Sequence, residues 1–279
     1  MSPKPPLRVA FQGERGAFSE EAARKLLGLR IVPVPCVTFA RLFRAVAERR
    51  ADLILAPVEN TLAGAVQPVH DLLLAGRLHI AGEVVLPVAQ HLIGIAGARR
   101  SQVRVVQSHP VALAQCEKFF RANPNLARIA ADDTAGSVRE VVERGDASRA
   151  AIAGRYAAKV YGAKILKAHV EDHRRNFTRF VLLSPTAPAG NHAGKLSLVV
   201  ELRHIPGSLS AALQPFARHG LNLLKIESRP IPGRPWEYRF YLDVRARRGA
   251  PLSAALQELK RSASRIRVLG HYVSNREKS

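Results

Sequence analysis

The polar residues that could do chemistry lie in four short segments, each at the end of a predicted strand or the start of a predicted helix. The segments are PVENTLAG (57–64), QSHPVALAQC (107–116), DDTAGSV (132–138) and NFTRF (176–180). They supply hydroxyls, side-chain amides and an arginine, with no metal-ligand cluster and no obvious catalytic triad. Such an inventory suits binding an oxyanion and donating hydrogen bonds to it, rather than covalent catalysis.

The first two segments also have a purely structural interpretation. Asn60 and Thr61 are residue types that favour turns and caps. Ser108 can cap the helix that follows it, and the same helix start can hold an anion. Gln115 lies about two turns into that helix and can point either way. His109 has no second metal ligand or nucleophile at useful spacing, which favours a structural role.

The third segment opens another predicted helix with two adjacent carboxylates. Successive residues diverge, and no further carboxylate completes a cage around Asp132 and Asp133, so Mg²⁺ or Ca²⁺ is disfavoured. A helix cap at Thr134 is the simpler interpretation of this segment.

The fourth segment predicts an edge strand when taken alone. Side chains alternate across a strand, so Thr178 and Phe180 share one face and Arg179 lies on the other. The segment by itself leaves open whether Thr178 has a structural role in the strand or holds a substrate.

Two further features could have marked a cofactor site. Gly13 and Gly16 resemble part of a phosphate loop, but the Lys-Ser/Thr of a P-loop and the third glycine of a dinucleotide fingerprint are missing. Cys36 and Cys116 stand 80 residues apart and outside any CxxC or histidine cluster, so a zinc site or disulfide framework is not expected. Both cysteines are predicted to be buried small hydrophobic residues.

Composition narrows the class of protein. The chain has 279 residues, 47% of them hydrophobic, a formal charge of +21 and a pI near 11.1. The charge permits nucleic acid or a polyanionic small molecule as partner, but no zinc finger or aromatic-basic platform accompanies it, which favours a solvated basic surface. No apolar run reaches the roughly 20 residues of a membrane span, and no signal segment is visible, so we expect a cytoplasmic protein without membrane contact.

The first two thirds alternate strand and helix patterns, which predicts an α/β fold with ligands bound where the strands end. Ser19 is predicted to cap the first helix, and Gly28 to end it. The run HPVALAQCEKFFRAN (109–123) predicts one helix with Pro110 in its first turn.

A linker is predicted at residues 184–195, where SPTAPAGNHAGK has no periodicity. The remainder reads strand, helix, strand, strand, helix, strand, which predicts a small ferredoxin-like sandwich. We therefore expect two domains, 7–184 and 195–274.

Six motifs in order resemble the prephenate dehydratases: FQGERGAFS, PVENTLAG, SHPVALAQC, DDTAGSV, AAIAGRYAAKVYG and NFTRF. PGSLSAAL and KIESRPIPGRPWEY, further along the chain, resemble the ACT regulatory domain of the same family. The likeness covers nearly the whole chain. It implies conversion of prephenate to phenylpyruvate, water and CO₂ without metal or cofactor, in a cleft between two α/β lobes that resemble periplasmic binding proteins.

The resemblance also implies site residues. Thr178 matches the threonine regarded as central in the family, and we expect it to donate a hydrogen bond or proton to the leaving hydroxyl. The other residues expected in catalysis are Asn60, Ser108, Gln115 and Glu59. Residues expected to bind substrate are Arg179, Thr134, Phe180 and Thr61, with Arg179 pairing to a substrate carboxylate although strand alternation directs it away from Thr178.

For the ACT domain, the resemblance implies L-phenylalanine bound between two subunits of a homodimer or homotetramer. The residues implied are Gly207, Ser208, Leu209, Asn222, Leu223, Glu227, Ser228, Arg229 and Pro230. The family commonly has alanine at position 208 and, in many prephenate dehydratases, serine at position 133. Asp133 resembles the arogenate dehydratases, whose substrate carries an amino acid side chain in place of a keto acid, so arogenate is the alternative substrate.

Overall fold

A computed structural model describes residues 5–188, 194–246, 249 and 251–274. The chain forms two compact units, one of residues Met1–Gly76 with Val84–Val181, and one of Arg77–Glu83 with Leu182–Ser279. The predicted linker lies partly outside the described residues. Within the described residues, no helix is long and apolar enough to cross a membrane.

The first sheet has the strand order β2-β1-β3-β11-β5, with the short strand β4 beside β3. Strand β1 is parallel to both of its neighbours, β2 and β3. The strands are β1 (Leu7–Gln12), β2 (Ile31–Cys36), β3 (Leu53–Asn60), β4 (Gly64–Ala65), β5 (His79–Pro87) and β11 (Phe177–Ser184), and the helices that follow β1, β2 and β4 are α1 (Phe18–Leu27), α2 (Phe39–Ala47) and α3 (Gln67–Ala75).

The strand β11 lies between β3 and β5, so the edge strand predicted for NFTRF is wrong. The five residues from Phe180 to Ser184 are all buried, so this part of the strand is covered on both faces. Only the first three residues, Phe177 to Arg179, are partly accessible to solvent.

The second sheet has the order β10-β6-β9-β7-β8, with β7 parallel to both β8 and β9 and with β6 antiparallel to β9 and β10. Its strands are β6 (His91–Gly94), β7 (Val105–Ser108), β8 (Ala127–Ala130), β9 (Arg149–Ala153) and β10 (Lys164–Lys167). Its helices are α4 (Pro110–Ala114), α5 (Glu117–Arg121), α6 (Thr134–Arg144) and α7 (Arg155–Val160). The α/β expectation for this part of the chain is confirmed.

The single helix predicted over residues 109–123 is instead two short helices, α4 and α5. Asp172 causes the break, because its carboxylate accepts the backbone N–H groups of Glu117 and Lys118, both at 2.9 Å, and so caps a new helix start. The backbone N–H of Asp172 also donates to the carbonyl of Gln115 at 2.7 Å. The local pattern of a continuous helix is overridden by a contact from 55 residues away in the sequence.

The first helix begins differently from its prediction. Ala17 is the N-cap without a side-chain hydrogen bond, and Ser19 is buried inside the first turn. The Glu20 carboxylate instead accepts the backbone N–H of Gly16 at 2.9 Å and the side chain of Arg15 at 3.0 Å. Although burial opposes ionisation, these bonds lower the pKa of Glu20 below its usual value. The phosphate-like glycine loop therefore holds a carboxylate of the chain itself, while Gly28 ends the helix as predicted.

The second unit contains a four-stranded sheet of order β13-β14-β12-β15, antiparallel throughout. The elements are β12 (Gly194–Leu202), α8 (Ser208–Arg218), β13 (Asn222–Ile231), β14 (Arg234–Ala246), α9 (Leu252–Ser262) and β15 (Ala263–Tyr272). The apolar residues of α8 and α9 pack on one face of the sheet around Leu198, Phe216 and Leu242. This is the predicted order of strands and helices, and the ferredoxin-like prediction is confirmed.

Both cysteine thiols are buried, as predicted. Burial, with Asp172, Glu171 and Glu117 nearby, raises the pKa of Cys116 to about 12, and burial raises the pKa of Cys36 as well. Because the thiolate is the reactive form, we expect neither residue to react with iodoacetamide at pH 8 in the folded protein, and both to react after denaturation. Mass spectrometry of the alkylated chain checks this, and fast labelling of the native protein would contradict it.

Candidate functional site

A cavity of about 430 Å³ opens within the first unit, where loops from both of its sheets meet. Its apolar wall includes Phe18, Phe39, Pro57, Val66, Val88 and Val111. Its polar lining consists of Gln12, Ser19, Asn60, Gln90, His109, Gln115, Asp132, Asp133, Thr134 and Thr178. Four of the nine residues predicted for catalysis or substrate binding therefore line one cavity: Asn60, Gln115, Thr134 and Thr178.

A chain of hydrogen-bonded side chains crosses one wall of this cavity. The Asn60 Nδ2 group donates to Thr178 Oγ1 at 3.0 Å and to Asn176 Oδ1 at 2.7 Å. Asn176 Nδ2 in turn donates to Gln115 Oε1 at 3.3 Å. Residues that are 61 and 118 positions apart in the sequence thus form one network.

The orientation of the Asn60 amide is fixed by the turn that follows β3. Its Oδ1 accepts the backbone N–H groups of Leu62 at 3.0 Å and Ala63 at 2.8 Å. This Asx-type turn leaves only the Nδ2 end to face Thr178. The turn interpretation and the functional interpretation of Asn60 are therefore both correct, since the turn holds the amide that contacts Thr178.

The hydroxyl of Thr178 is an acceptor in this network, which decides where its proton points. Asn60 Nδ2 donates to Thr178 Oγ1, and no other hydrogen bond of this hydroxyl is made within the described residues. A hydroxyl has one donor hydrogen besides its acceptor lone pairs. The Thr178 proton is consequently available to an acceptor in the cavity.

Thr61 and Ser108 do not line the cavity. Thr61 joins the β3 turn to the start of β11, since its Oγ1 accepts the N–H of Phe177 at 2.9 Å and donates to the carbonyl of Arg175 at 3.3 Å. Ser108 is fully buried and donates to the carbonyl of Ile152 at 2.6 Å. The helix cap predicted for Ser108 is wrong, because the ring Nδ1 of the following residue accepts the cap hydrogen bond from Val111 at 3.2 Å.

Glu59, Arg179 and Phe180 also lie outside the cavity lining. Arg179 Nη1 pairs with Glu59 Oε2 at 3.4 Å, on the face of β11 opposite Thr178, as strand alternation predicted. Phe180 shares the face of Thr178 but is 2% exposed and packs in the core. These side chains support the strands that present Thr178 and Asn60.

The helix α6 is capped by Asp133 rather than by Thr134. Asp133 has an extended backbone and accepts the N–H of Gly136 on its Oδ1 at 2.6 Å. Thr134 is the first residue of the helix, and its side chain contributes to the cavity wall with Asp132. In the part of the chain that the structure describes, no group of three or more His, Cys, Asp and Glu side chains could hold a metal ion.

Sequence reasoning missed one residue of the hydrogen-bond network, Asn176, and one polar residue of the cavity lining, Gln90. Asn176 is fully buried and links Asn60 to Gln115, although it stands within the NFTRF motif and could have been found there. Gln90 lines the cavity from the connection between β5 and β6. No motif marks Gln90, which stands with His91 between two apolar runs.

The residues implied for effector binding lie on two elements of the second unit. Gly207, Ser208 and Leu209 form the start of α8, and Gly207 has φ of 79°, a left-handed conformation that suits glycine. The others, Asn222, Leu223, Glu227, Ser228, Arg229 and Pro230, all belong to β13. Glu227 forms an ion pair with Lys225 at 3.0 Å on the same strand.

Comparisons with known proteins agree on one family. The family model for prephenate dehydratase matches residues 9–188, and the model for the ACT domain matches residues 196–263. The chain is 40% identical over 278 residues to arogenate dehydratase/prephenate dehydratase 2 of Arabidopsis thaliana, with 95% of this chain and 72% of that protein covered.

Two solved structures resemble the whole chain. Prephenate dehydratase of Arthrobacter aurescens in complex with L-Phe has a TM-score of 0.84 at 29% identity, covering 96% of this chain and 90% of that one. A structure described as a novel type of quorum quenching acylase has a TM-score of 0.87 at 34% identity, covering 98% of this chain and 100% of that one. The cavity of the first unit thus lies within a segment that a dehydratase model matches.

Proposed function

This chain belongs to the prephenate dehydratase family and carries a C-terminal ACT domain, and we propose that it acts on prephenate in the cavity of its first unit. The reaction releases the ring carboxylate as CO₂ and the ring hydroxyl as water, leaving phenylpyruvate. Arogenate, which would give phenylalanine directly, is the alternative substrate. The relative from Arabidopsis thaliana carries both activities in its name.

The observation that carries this proposal is the free proton of the Thr178 hydroxyl. Asn60 donates to Thr178 Oγ1, so the Thr178 O–H must donate elsewhere. A hydroxyl that leaves a ring as hydroxide needs a hydrogen-bond donor where its negative charge develops. We assign that task to Thr178, with Asn60 stabilising negative charge that develops on the Thr178 oxygen.

The balance of the reaction requires one proton and no redox partner. The C–C bond to the ring carboxylate breaks, and its electron pair moves through the ring to expel the hydroxyl on the opposite carbon. One proton joins that hydroxyl to form water. A free threonine is too weak an acid to supply the proton outright, so the Thr178 hydroxyl stabilises the departing oxygen while a proton reaches it through solvent or a neighbouring group.

The cavity also suits the substrate by size and polarity. Its volume of about 430 Å³ falls in the range of small-molecule sites, and Phe18 and Phe39 offer an apolar wall to a six-membered ring. Thr134 presents a hydroxyl at the start of α6, where backbone N–H groups favour a carboxylate. The acylase activity in the description of one structural neighbour is a property of that protein.

The proposal is tested by mixing the purified chain with prephenate, and separately with arogenate, and following ring aromatisation by ultraviolet absorbance and chromatography. We expect phenylpyruvate from prephenate with release of CO₂. If the purified chain converted neither prephenate nor arogenate, the proposal would be overturned.

For the second unit, we propose that L-phenylalanine binds at the start of α8 and along β13, between two copies of the chain in a homodimer or larger homo-oligomer. The L-Phe complex of the related dehydratase and the glycine start of α8 support this proposal. Titration calorimetry should detect saturable binding of L-phenylalanine that Asn222→Ala weakens, with D-phenylalanine as the matched control ligand. Equal heats from both enantiomers would contradict the site.

A further inference from the structure

Gln90 has a buried side-chain amide without a hydrogen bond to any of the residues that the structure describes. The residue is 2% exposed and lines the cavity. Its Oε1 has no partner, and no hydrogen bond of its side chain is formed with any residue that the structure describes. Buried polar groups are nearly always paired in folded proteins, so an unpaired one at the wall of a binding cavity points to a missing ligand.

The backbone of Gln90 is hydrogen-bonded through both its N–H and its carbonyl group, so the segment that carries the side chain is held at the cavity wall. Its N–H donates to Glu171 Oε2 at 2.8 Å, and its carbonyl accepts the N–H of Val170 at 2.9 Å. Two residues earlier, the N–H of Val88 donates to the carbonyl of Asn176 at 2.8 Å, which connects this segment to the Thr178 network. The backbone of Gln90 is thus anchored at the wall, while its side-chain amide is unsatisfied among the described residues.

Gln90 lies beside the second sheet of the unit, whereas Thr178 lies on a strand of the first sheet. It precedes β6, whose first residue His91 pairs with Ala153 at the end of β9. The residues after β7 and β8, including Asp132, lie at the same edge of the second sheet, because these strands are parallel to β9 and to each other. Thr178 and Asn60 belong to the first sheet. A substrate whose hydroxyl is at Thr178 extends its other end toward the second sheet.

We propose that Gln90 binds the side-chain arm of the substrate and sets the choice between a keto acid and an amino acid at that arm. The inference rests on the proposed dehydratase function. Prephenate offers a keto oxygen there, which accepts hydrogen bonds, whereas arogenate offers an ammonium group, which donates them. The charged residues that line the cavity are Asp132 and Asp133, which also favour an ammonium group at this end.

A carboxamide can serve both substrates because its two ends have nearly the same shape. Rotation by half a turn presents either the oxygen to an ammonium group or the NH₂ group to a keto oxygen. Gln90 therefore admits both arms, whereas a carboxylate at the same position offers only acceptors. The identity of residue 90 becomes the determinant of the arogenate to prephenate ratio.

The first test replaces the amide with an apolar group of similar length, Gln90→Met. We expect kcat/KM to fall about ten- to hundred-fold on both substrates, while Tm stays equal to the wild type or rises, since an unpaired buried amide is removed. The matched control is Gln107→Met, because Gln107 is equally buried but donates to Glu140 Oε2 at 2.9 Å outside the cavity. The control should lower Tm and keep kcat/KM within about two-fold.

The second test is Gln90→Glu, measured on both substrates. The arogenate to prephenate ratio of kcat/KM should rise at least about ten-fold, because the new carboxylate attracts an ammonium group and repels a keto acid arm. An unchanged arogenate to prephenate ratio of kcat/KM would overturn the assignment of Gln90 to the side-chain arm of the substrate.

The proposed contact between Gln90 and the substrate would be overturned if Gln90→Met kept the wild-type kcat/KM on both substrates. It would also be overturned if Gln90→Met failed to fold. An inactive wild-type enzyme would instead refute the dehydratase function, so the two failures are distinguishable.

Discussion

Thr178→Val should lower kcat by about a hundred- to ten-thousand-fold while leaving the protein folded, because it removes the hydroxyl that we propose donates to the leaving group. Valine has nearly the shape of threonine. Asn60 Nδ2 loses one acceptor but keeps Asn176 Oδ1 at 2.7 Å and the carbonyl of Phe177 at 3.2 Å. The free energy of unfolding should therefore change by no more than about 1 kcal/mol. Steady-state kinetics and urea denaturation measure the two effects.

The matched control for this change is Thr186→Val, which also exchanges a hydroxyl for a methyl group. Thr186 is exposed and contacts Ser184 Oγ at 3.2 Å, outside the cavity. Its kcat should equal the wild-type value. If Thr178→Val kept more than a tenth of the wild-type kcat, Thr178 would not act on the leaving hydroxyl.

Asn176→Leu should weaken both folding and catalysis. Asn176 is fully buried, and its loss leaves Asn60 without its shortest acceptor and Gln115 without its donor. Removing one partner of buried hydrogen bonds costs about 1–3 kcal/mol of unfolding free energy. Because the Asn60 amide then loses part of its anchorage beside Thr178, kcat/KM should fall about ten- to hundred-fold.

A control for Asn176 is Asn123→Leu in the same unit. Asn123 also makes two side-chain hydrogen bonds, to the carbonyl of Phe119 at 2.7 Å and from Arg100 at 2.9 Å, but it lies outside the cavity. We expect a loss of stability with kcat/KM within about two-fold of wild type. Equal losses of kcat/KM in both variants would show that the effect of Asn176 is only destabilisation.

Much of the fold follows from local patterns. The strands of both sheets are short apolar runs, and glycine ends α1 as expected. Helix α3 was not predicted, although Val69, Leu72 and Leu73 have the i, i+3, i+4 spacing of one helical face. The break between α4 and α5 was beyond local reasoning, since Asp172 causes it from a distant part of the chain.

The residues of the site likewise divide into those that the sequence predicts and those that it does not. Residue type and position marked Asn60, Gln115, Thr134 and Thr178 as candidates with structural alternatives, and the resemblance to a family assigned them to the site. Sequence could not show that Ser108 and Thr61 bond to backbone groups away from the cavity, because that depends on the register of paired segments. Gln90 could not be found either, since its significance lies in a hydrogen bond that the folded chain does not make.

The most direct test of the account is kcat of Thr178→Ser compared with that of Thr178→Val, on whichever of the two substrates the wild type prefers. Serine restores the hydroxyl without the methyl group, so the acceptor for Asn60 and the donor to the leaving group both return. We expect Thr178→Ser to retain kcat within about ten-fold of wild type, far above the valine variant. A serine variant as slow as the valine variant, although equally folded, would contradict the role of the Thr178 hydroxyl.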